Sequence, residues 1–81
     1  MDNSETRLVK VFEAVFPDLS PDQIPSASQD TVQNWDSVAA ITLMNLIEEE
    51  FSIQMEFEDL GDLTTFAKVL AYVDAKIAQA A

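Results

Sequence analysis

The sequence contains no histidine and no cysteine, and its cations are scarce. Without cysteine, neither disulfides nor thiolate metal ligands are available. No run of about 18 consecutive apolar residues occurs, so we expect no membrane insertion. The acidic, polar start of the chain does not resemble a secretory signal. Together these absences predict one small cytoplasmic domain that spans residues 1–81.

The few cations are concentrated near the two ends of the chain. The chain has four cationic and fifteen acidic residues, which give it a formal net charge of −11. The cationic residues are Arg7, Lys10, Lys68 and Lys76. Nucleic acid is excluded as a direct partner because phosphate neutralisation requires lysine or arginine. The charge indicates either a solvated surface that keeps a small monomer soluble or steering toward basic patches on partner proteins.

A group of four carboxylates late in the chain raises the question of a metal site. These are Glu56, Glu58, Asp59 and Asp62. Their order lacks the alternating acidic positions and the glycine of a calcium-binding EF-hand loop. We therefore expect no metal site.

Apolar residues recur at helical spacing in three long segments. The first segment ends before Pro17, because proline disfavours helix at the residue before it. The second runs from about Asp36 to Phe51, and the third begins near Thr64 or Thr65. These segments predict the three main helices of an all-α protein.

The connections between these helices carry weaker signals. Ser20 begins a helical turn that Pro25 should stop, inside a long ordered loop. Residues 52–57 alternate like a strand but have no partner strand, so a connecting segment is expected. Residues 58–60 predict a single helical turn closed by Gly61. The whole is a small four-helix bundle, with three main helices, a short third helix and a long first loop.

Ser37 lies at the predicted start of the second helix, directly after the candidate cap Asp36. Unpaired backbone N–H groups and a partial positive charge stabilise an anion at this place by about 0.3–1 kcal/mol. No histidine or cysteine is present to activate the serine, so it is a poor nucleophile and a good acceptor. The sequence predicts a protein that is modified and is not an enzyme. The alternative is that Ser37 is an ordinary residue of a first helical turn.

Three motifs together resemble the acyl carrier protein family. They are Asp-Ser-Val at 36–38, Ile-Glu-Glu-Glu-Phe at 47–51 and Leu-Thr-Thr-Phe at 63–66. The resemblance implies that a phosphopantetheinyl transferase attaches 4′-phosphopantetheine from coenzyme A to Ser37. Acyl groups are then expected to travel between enzymes as thioesters on the terminal thiol of that arm. An imported thiol would account for the absence of cysteine.

The resemblance also implies residues that contact partner enzymes and the acyl chain. Partners with basic docking patches, which load or transfer acyl groups, are expected to contact Asp36, Val38, Ile41, Glu48 and Glu49. The surplus apolar lining of the second helix predicts a slot for an acyl chain. Its expected lining is Met44, Leu46, Ile47, Leu60 and Leu63.

Two positions depart from the pattern of fatty-acid-synthesis members of that family. Ala39 and Thr42 lie two and five positions after the serine, where those members commonly carry acidic residues. The departure favours a specialised pathway of lipid or polyketide biosynthesis over housekeeping fatty acid synthesis. An aminoacyl or peptidyl carrier stays open as an alternative, as does an unmodified acidic helical adaptor that binds a basic protein surface.

Overall fold

The computed structural model describes residues 3–80. The helices in that part of the chain are α1 at Ser4–Val15, α2 at Ser37–Phe51 and α3 at Phe66–Ala80, with 3-10 helices at Ile24–Ser26 and Phe57–Asp62. Residues 3–80 contain no strand, which confirms the predicted all-α bundle with a short third helix. The ends of the predicted 1–81 domain, at residues 1, 2 and 81, lie outside the described residues.

Helix α1 is limited by a polar cap at one end and by a proline after the other. The Asn3 side chain accepts a hydrogen bond from the Thr6 backbone N–H at 2.8 Å, which satisfies one of the free donors at the helix start. At the other end the Phe16 N–H still bonds to the Phe12 carbonyl oxygen, at 2.7 Å. Pro17 follows and prevents continuation, as the sequence predicts.

Phe12 is the centre of the core. Its ring centroid lies 5.9 Å from that of Phe16, 5.4 Å from that of Trp35 and 5.0 Å from that of Phe66. Phe12 belongs to α1 and Phe16 follows the end of that helix, whereas Trp35 lies in the first loop and Phe66 begins α3. One aromatic cluster therefore holds three parts of the chain together. Helix α2 completes the core with buried Leu43, Ile47 and Phe51.

The first loop is ordered, but its turn is placed differently from the prediction. The turn starts at Ser20, whose backbone N–H donates to the Gln23 side-chain oxygen at 3.1 Å. The 3-10 helix that follows, Ile24–Ser26, contains Pro25 near its first position. The prediction that Pro25 stops the turn was wrong, because the fixed φ of proline suits the first position of a helix.

Backbone hydrogen bonds tie the end of this loop to the start of α3. The Phe66 N–H donates to the Ala27 carbonyl at 3.0 Å, and the Gln29 N–H donates to the Thr64 carbonyl at 2.9 Å. The Thr65 hydroxyl accepts a bond from the Lys68 N–H at 3.1 Å and so caps α3, where the sequence predicts its start. These bonds confirm the predicted long ordered loop.

The second 3-10 helix is longer than the predicted turn. It covers Phe57–Asp62, so Gly61 lies inside it and does not close it. Gly61 does not have a positive φ, which is the conformation that a closing glycine adopts. The prediction of closure at Gly61 was therefore wrong. The expectation that residues 52–57 connect helices without forming a strand is confirmed.

Candidate functional site

Ser37 is the first residue of α2, and its position is fixed by the cap Asp36. The Asp36 carboxylate accepts from the Ala39 N–H at 2.9 Å, and its carbonyl accepts from the Ala40 N–H at 2.9 Å. Ser37 is exposed, and its hydroxyl has no hydrogen-bond partner among residues 3–80. The hydroxyl is accessible at the positive end of the helix dipole, which suits a covalently attached phosphate.

A groove opens beside Ser37, between the start of α2 and the second 3-10 helix. Its volume is about 370 Å³. Its walls include Ser37 and Asp36, together with Gln29, Trp35, Ile41, Phe57, Leu60 and Gly61. Four of these residues have large apolar side chains, and none carries a positive charge. The groove is large enough for a small ligand.

Three large apolar side chains are exposed around this groove. Val38 is 72% exposed, Ile41 is 39% exposed and Phe57 is 66% exposed. Val38 and Ile41 are predicted site residues, whereas Phe57 was missed. The sequence could have indicated its exposure, because this aromatic residue stands between two acidic residues, Glu56 and Glu58. An apolar patch with acidic neighbours is typical of a surface that contacts another protein.

The glutamate block at the end of α2 is partly neutralised within the chain. The Glu48 carboxylate accepts from the Met55 N–H at 2.9 Å. The Glu50 carboxylate pairs with the Arg7 Nε at 2.8 Å, and Arg7 also donates to the Glu50 carbonyl. The Arg7 guanidinium lies 4.6 Å from the centre of the Phe51 ring. Two of the three carboxylates that oppose the helix dipole therefore have internal partners.

Glu49 differs from its two neighbours. It is exposed, and its carboxylate bonds to none of the residues that the structure describes. It lines a separate groove of about 360 Å³ with Lys10 of α1. Of the predicted acidic contacts, Glu49 is therefore available to a partner, whereas Glu48 holds the segment after α2.

Four of the five residues predicted to form an acyl slot lie together. Met44, Ile47, Leu60 and Leu63 line one apolar cavity between α2, the second 3-10 helix and α3. The cavity measures about 10 Å³, which is room for one water molecule, so it is closed in this structure. Leu46 lies apart from them, in the groove that contains Lys10 and Glu49, and we leave it out of the slot.

Tyr72 of α3 holds the 3-10 helix over this cavity. Its hydroxyl donates to an Asp59 carboxylate oxygen at 2.7 Å and accepts from the Glu56 N–H at 3.3 Å. Burial raises the pKa of the Tyr72 phenol, and the bond to Asp59 raises the pKa further. The phenol is therefore protonated at neutral pH and can donate this bond.

Within residues 3–80 the structure contains no cluster of three or more side chains able to hold a metal ion. Over the same residues, no helix has both the length and the apolar character needed to cross a membrane.

Residues 35–73 match the family model described as phosphopantetheine attachment site. This match supports a carrier domain of the acyl carrier protein type. Neither a curated protein nor a solved structure matches the chain. Carrier domains bear covalent 4′-phosphopantetheine on a serine and are not catalysts. They interact with phosphopantetheinyl transferases and with enzymes that handle acyl groups. The free hydroxyl at the start of α2 and the adjacent groove fit such an arm.

Proposed function

We propose that the carrier domain bears its phosphopantetheine arm on Ser37 and shuttles thioester-bound acyl groups between enzymes. The observation that carries the proposal is the exposed Ser37 hydroxyl, without a partner among the described residues, at the first position of α2. The matched segment, 35–73, contains one other serine, Ser52. That residue is at the opposite end of α2, where the helix dipole is negative.

The residues around Ser37 have separable roles in holding such an arm. Asp36 fixes the helix start through its bond to the Ala39 N–H. The N–H groups of Ser37 and Val38 have no acceptor among the described residues and point to the helix end that favours phosphate. When bound, the arm supplies the thiol that forms the thioester. The chain itself supplies attachment, orientation and partner contacts.

Substitution of Ser37 tests the attachment site. The Ser37→Ala variant should gain no mass when incubated with coenzyme A, magnesium and a broad-specificity phosphopantetheinyl transferase, because the accepting oxygen is gone. The unaltered domain should gain one phosphopantetheine group, measured by intact mass. Ser52→Gly is the matched control, because it removes a hydroxyl at the other end of α2 from a residue with φ of 55°, which glycine tolerates. Addition to folded Ser37→Ala would contradict the proposal.

We further propose that the acyl chain enters the apolar cavity lined by Met44, Ile47, Leu60 and Leu63. The support is that these side chains already share one space between α2 and α3. Because that space is about 10 Å³, a chain can enter only if the second 3-10 helix moves outward. The Tyr72 hydroxyl, through its bonds to Asp59 and Glu56, resists that movement.

Methyl NMR spectra of the holo and octanoyl forms test this slot. Loading octanoate should shift the methyl resonances of Met44 and Leu63, because a chain inserted between them changes their surroundings. Leu46 is an internal control, since it lies in the separate groove with Lys10 and its resonances should stay in place. If only residues next to Ser37 respond, the acyl chain stays in solvent and the cavity is ordinary core.

We also propose that the carrier domain serves a specialised biosynthetic system of the cytoplasm, and not housekeeping fatty acid synthesis. In support, the front of α2 carries Ala39 and Thr42 where acidic residues are expected in housekeeping members. Two large apolar side chains, Val38 and Ile41, are exposed there. A partner that fits this surface would contact an apolar patch near the arm and an acidic residue, Glu49, farther along.

A further inference from the structure

We propose that the second 3-10 helix is a lid over the apolar cavity, and that the Tyr72 hydroxyl latches it. An acyl chain that enters the cavity releases the latch and displaces Phe57 on the surface. The inference rests on the attachment proposed at Ser37 and on the slot proposed above. It adds a device by which an empty carrier and a loaded carrier present different surfaces to their partners.

Little packing holds the lid in place. None of its residues, Phe57–Asp62, is buried. The chain is fixed on both sides of it, since Met55 and Leu63 are each 8% exposed. The Met55 N–H donates to the Glu48 carboxylate at 2.9 Å, and the Thr64 carbonyl accepts a hydrogen bond from the first loop at 2.9 Å. Segments with few buried apolar contacts open locally at a low free-energy cost, so the lid can move while its two ends stay in place.

Tyr72 of α3 provides the latch between the two fixed ends. Its hydroxyl donates to the Asp59 carboxylate at 2.7 Å and accepts from the Glu56 N–H at 3.3 Å. One turn earlier in α3, Val69 is 1% exposed and lines the cavity, so the helix that carries the latch is fixed in the core. Leu60 follows Asp59 directly and forms part of the cavity wall. Release of Asp59 therefore lets Leu60, the half-buried apolar side chain of the lid, move outward.

Movement of the lid changes the surface of the domain because Phe57 is part of the lid. Phe57 is 66% exposed and lies one turn before Leu60, so the two side chains move together. The closed cavity of about 10 Å³ has room for one water molecule, so an octanoyl chain enters only by displacing a wall, and Leu60 belongs to the wall that packing holds least. Glu56 and Glu58 beside Phe57 are exposed and acidic, so the partner that fits this surface has an apolar pocket with a basic rim. Such a partner distinguishes loaded from empty carriers by the position of Phe57.

The latch is tested on the apo chain by amide hydrogen exchange, measured by NMR. The Asp59 N–H bonds to the Glu56 carbonyl at 3.0 Å and reports opening of the lid. Tyr72→Phe should raise its exchange rate by about tenfold, because a hydrogen bond to a carboxylate is lost. The Phe66 N–H, which bonds to the first loop at 3.0 Å, reports wider unfolding and should keep its rate. An equal rise in both rates would make Tyr72 a purely structural residue and overturn the latch.

Ser4→Ala is the matched control for this variant. It also removes a hydroxyl that donates to a carboxylate of the chain, that of Asp74, but this bond ties α3 to α1 and not to the lid. It should therefore leave the exchange rate of the Asp59 N–H unchanged. A rise equal to that in Tyr72→Phe would mean that any loosening of α3 opens the lid, which contradicts a specific latch at Tyr72.

Loading tests whether cargo releases the latch. The octanoyl form should show faster exchange of the Asp59 N–H than the holo form, and shifted ring resonances of Phe57. The acetyl form is the matched control, because it carries the same thioester without a chain able to fill the cavity, and both signals should keep their holo values. In Tyr72→Phe, octanoate should raise the Asp59 exchange rate by less than about twofold, because the latch is already absent and the two effects are not additive.

Separate measurements distinguish failure of this inference from failure of the proposed function. Unchanged Asp59 exchange in apo Tyr72→Phe would overturn the latch, and that experiment does not use the arm. Full loading by intact mass, with shifted Met44 methyl resonances but unchanged Asp59 exchange, would overturn release of the lid and leave the slot standing. Full loading without a response at Met44 would overturn both the slot and the release. Absence of mass addition to the unaltered protein would contradict the attachment itself.

Discussion

Replacing Phe12 by alanine should lower the free energy of unfolding by about 3–5 kcal/mol, which is a large share of the stability of a domain this small. Phe12 is fully buried and its ring contacts those of Phe16, Trp35 and Phe66. Truncation removes these contacts and leaves a cavity where α1, the first loop and α3 meet. Urea denaturation, followed by circular dichroism and by the fluorescence of Trp35, measures the loss.

Phe57→Ala is the matched control, because the same atoms are removed from a side chain that is 66% exposed. Its unfolding free energy should change by about 0.5 kcal/mol or less. Where Phe12→Ala is too unstable to purify, Phe12→Leu retains most of the volume and should show a smaller loss of the same sign. Equal effects at positions 12 and 57 would mean that the aromatic cluster is not the centre of stability.

The helices and the position of Ser37 at the start of α2 could be predicted from local patterns. Apolar spacing and the proline after α1 determined the helices, and Asp36 before Ser37 identified the start of α2. The errors arose where a residue type serves two purposes. Pro25 can stop a helix or begin one, and Gly61 can close a turn or simply leave room. The local sequence does not distinguish these uses.

The surface around the site was less predictable because it depends on distant contacts. Glu50 is neutralised by Arg7, which lies 43 positions earlier in the sequence. Glu48 bonds to the Met55 N–H after the chain has turned back. The sequence shows three equivalent carboxylates, whereas the fold leaves Glu49 without such a bond among the described residues. Leu46 lines the groove that contains Lys10 of α1, which the sequence could not show because the position of α1 was unknown.

Adding carboxylates to the front of α2 should make the carrier domain a better substrate for a housekeeping ketosynthase or malonyl transferase. Ala39→Asp with Thr42→Glu supplies the two acidic residues expected there, each able to contribute up to about 1 kcal/mol at the rim of a basic docking patch. Together they should raise kcat/KM by up to about thirtyfold, and the gain should shrink with added salt. Asp at position 39 also suits the first turn of α2.

Ala67→Asp with Ala71→Glu is the charge-matched control, because it adds the same two carboxylates to exposed positions of α3. It should leave kcat/KM within about twofold of the unaltered carrier, since long-range attraction between exposed charges is screened. Melting curves for both variants verify that half-buried Ala39 tolerates the change. If the unaltered domain already matches a housekeeping fatty-acid carrier as a substrate, acidic residues at positions 39 and 42 are not what those enzymes require. The proposal of a specialised pathway then fails, and the ordinary fatty-acid role replaces it.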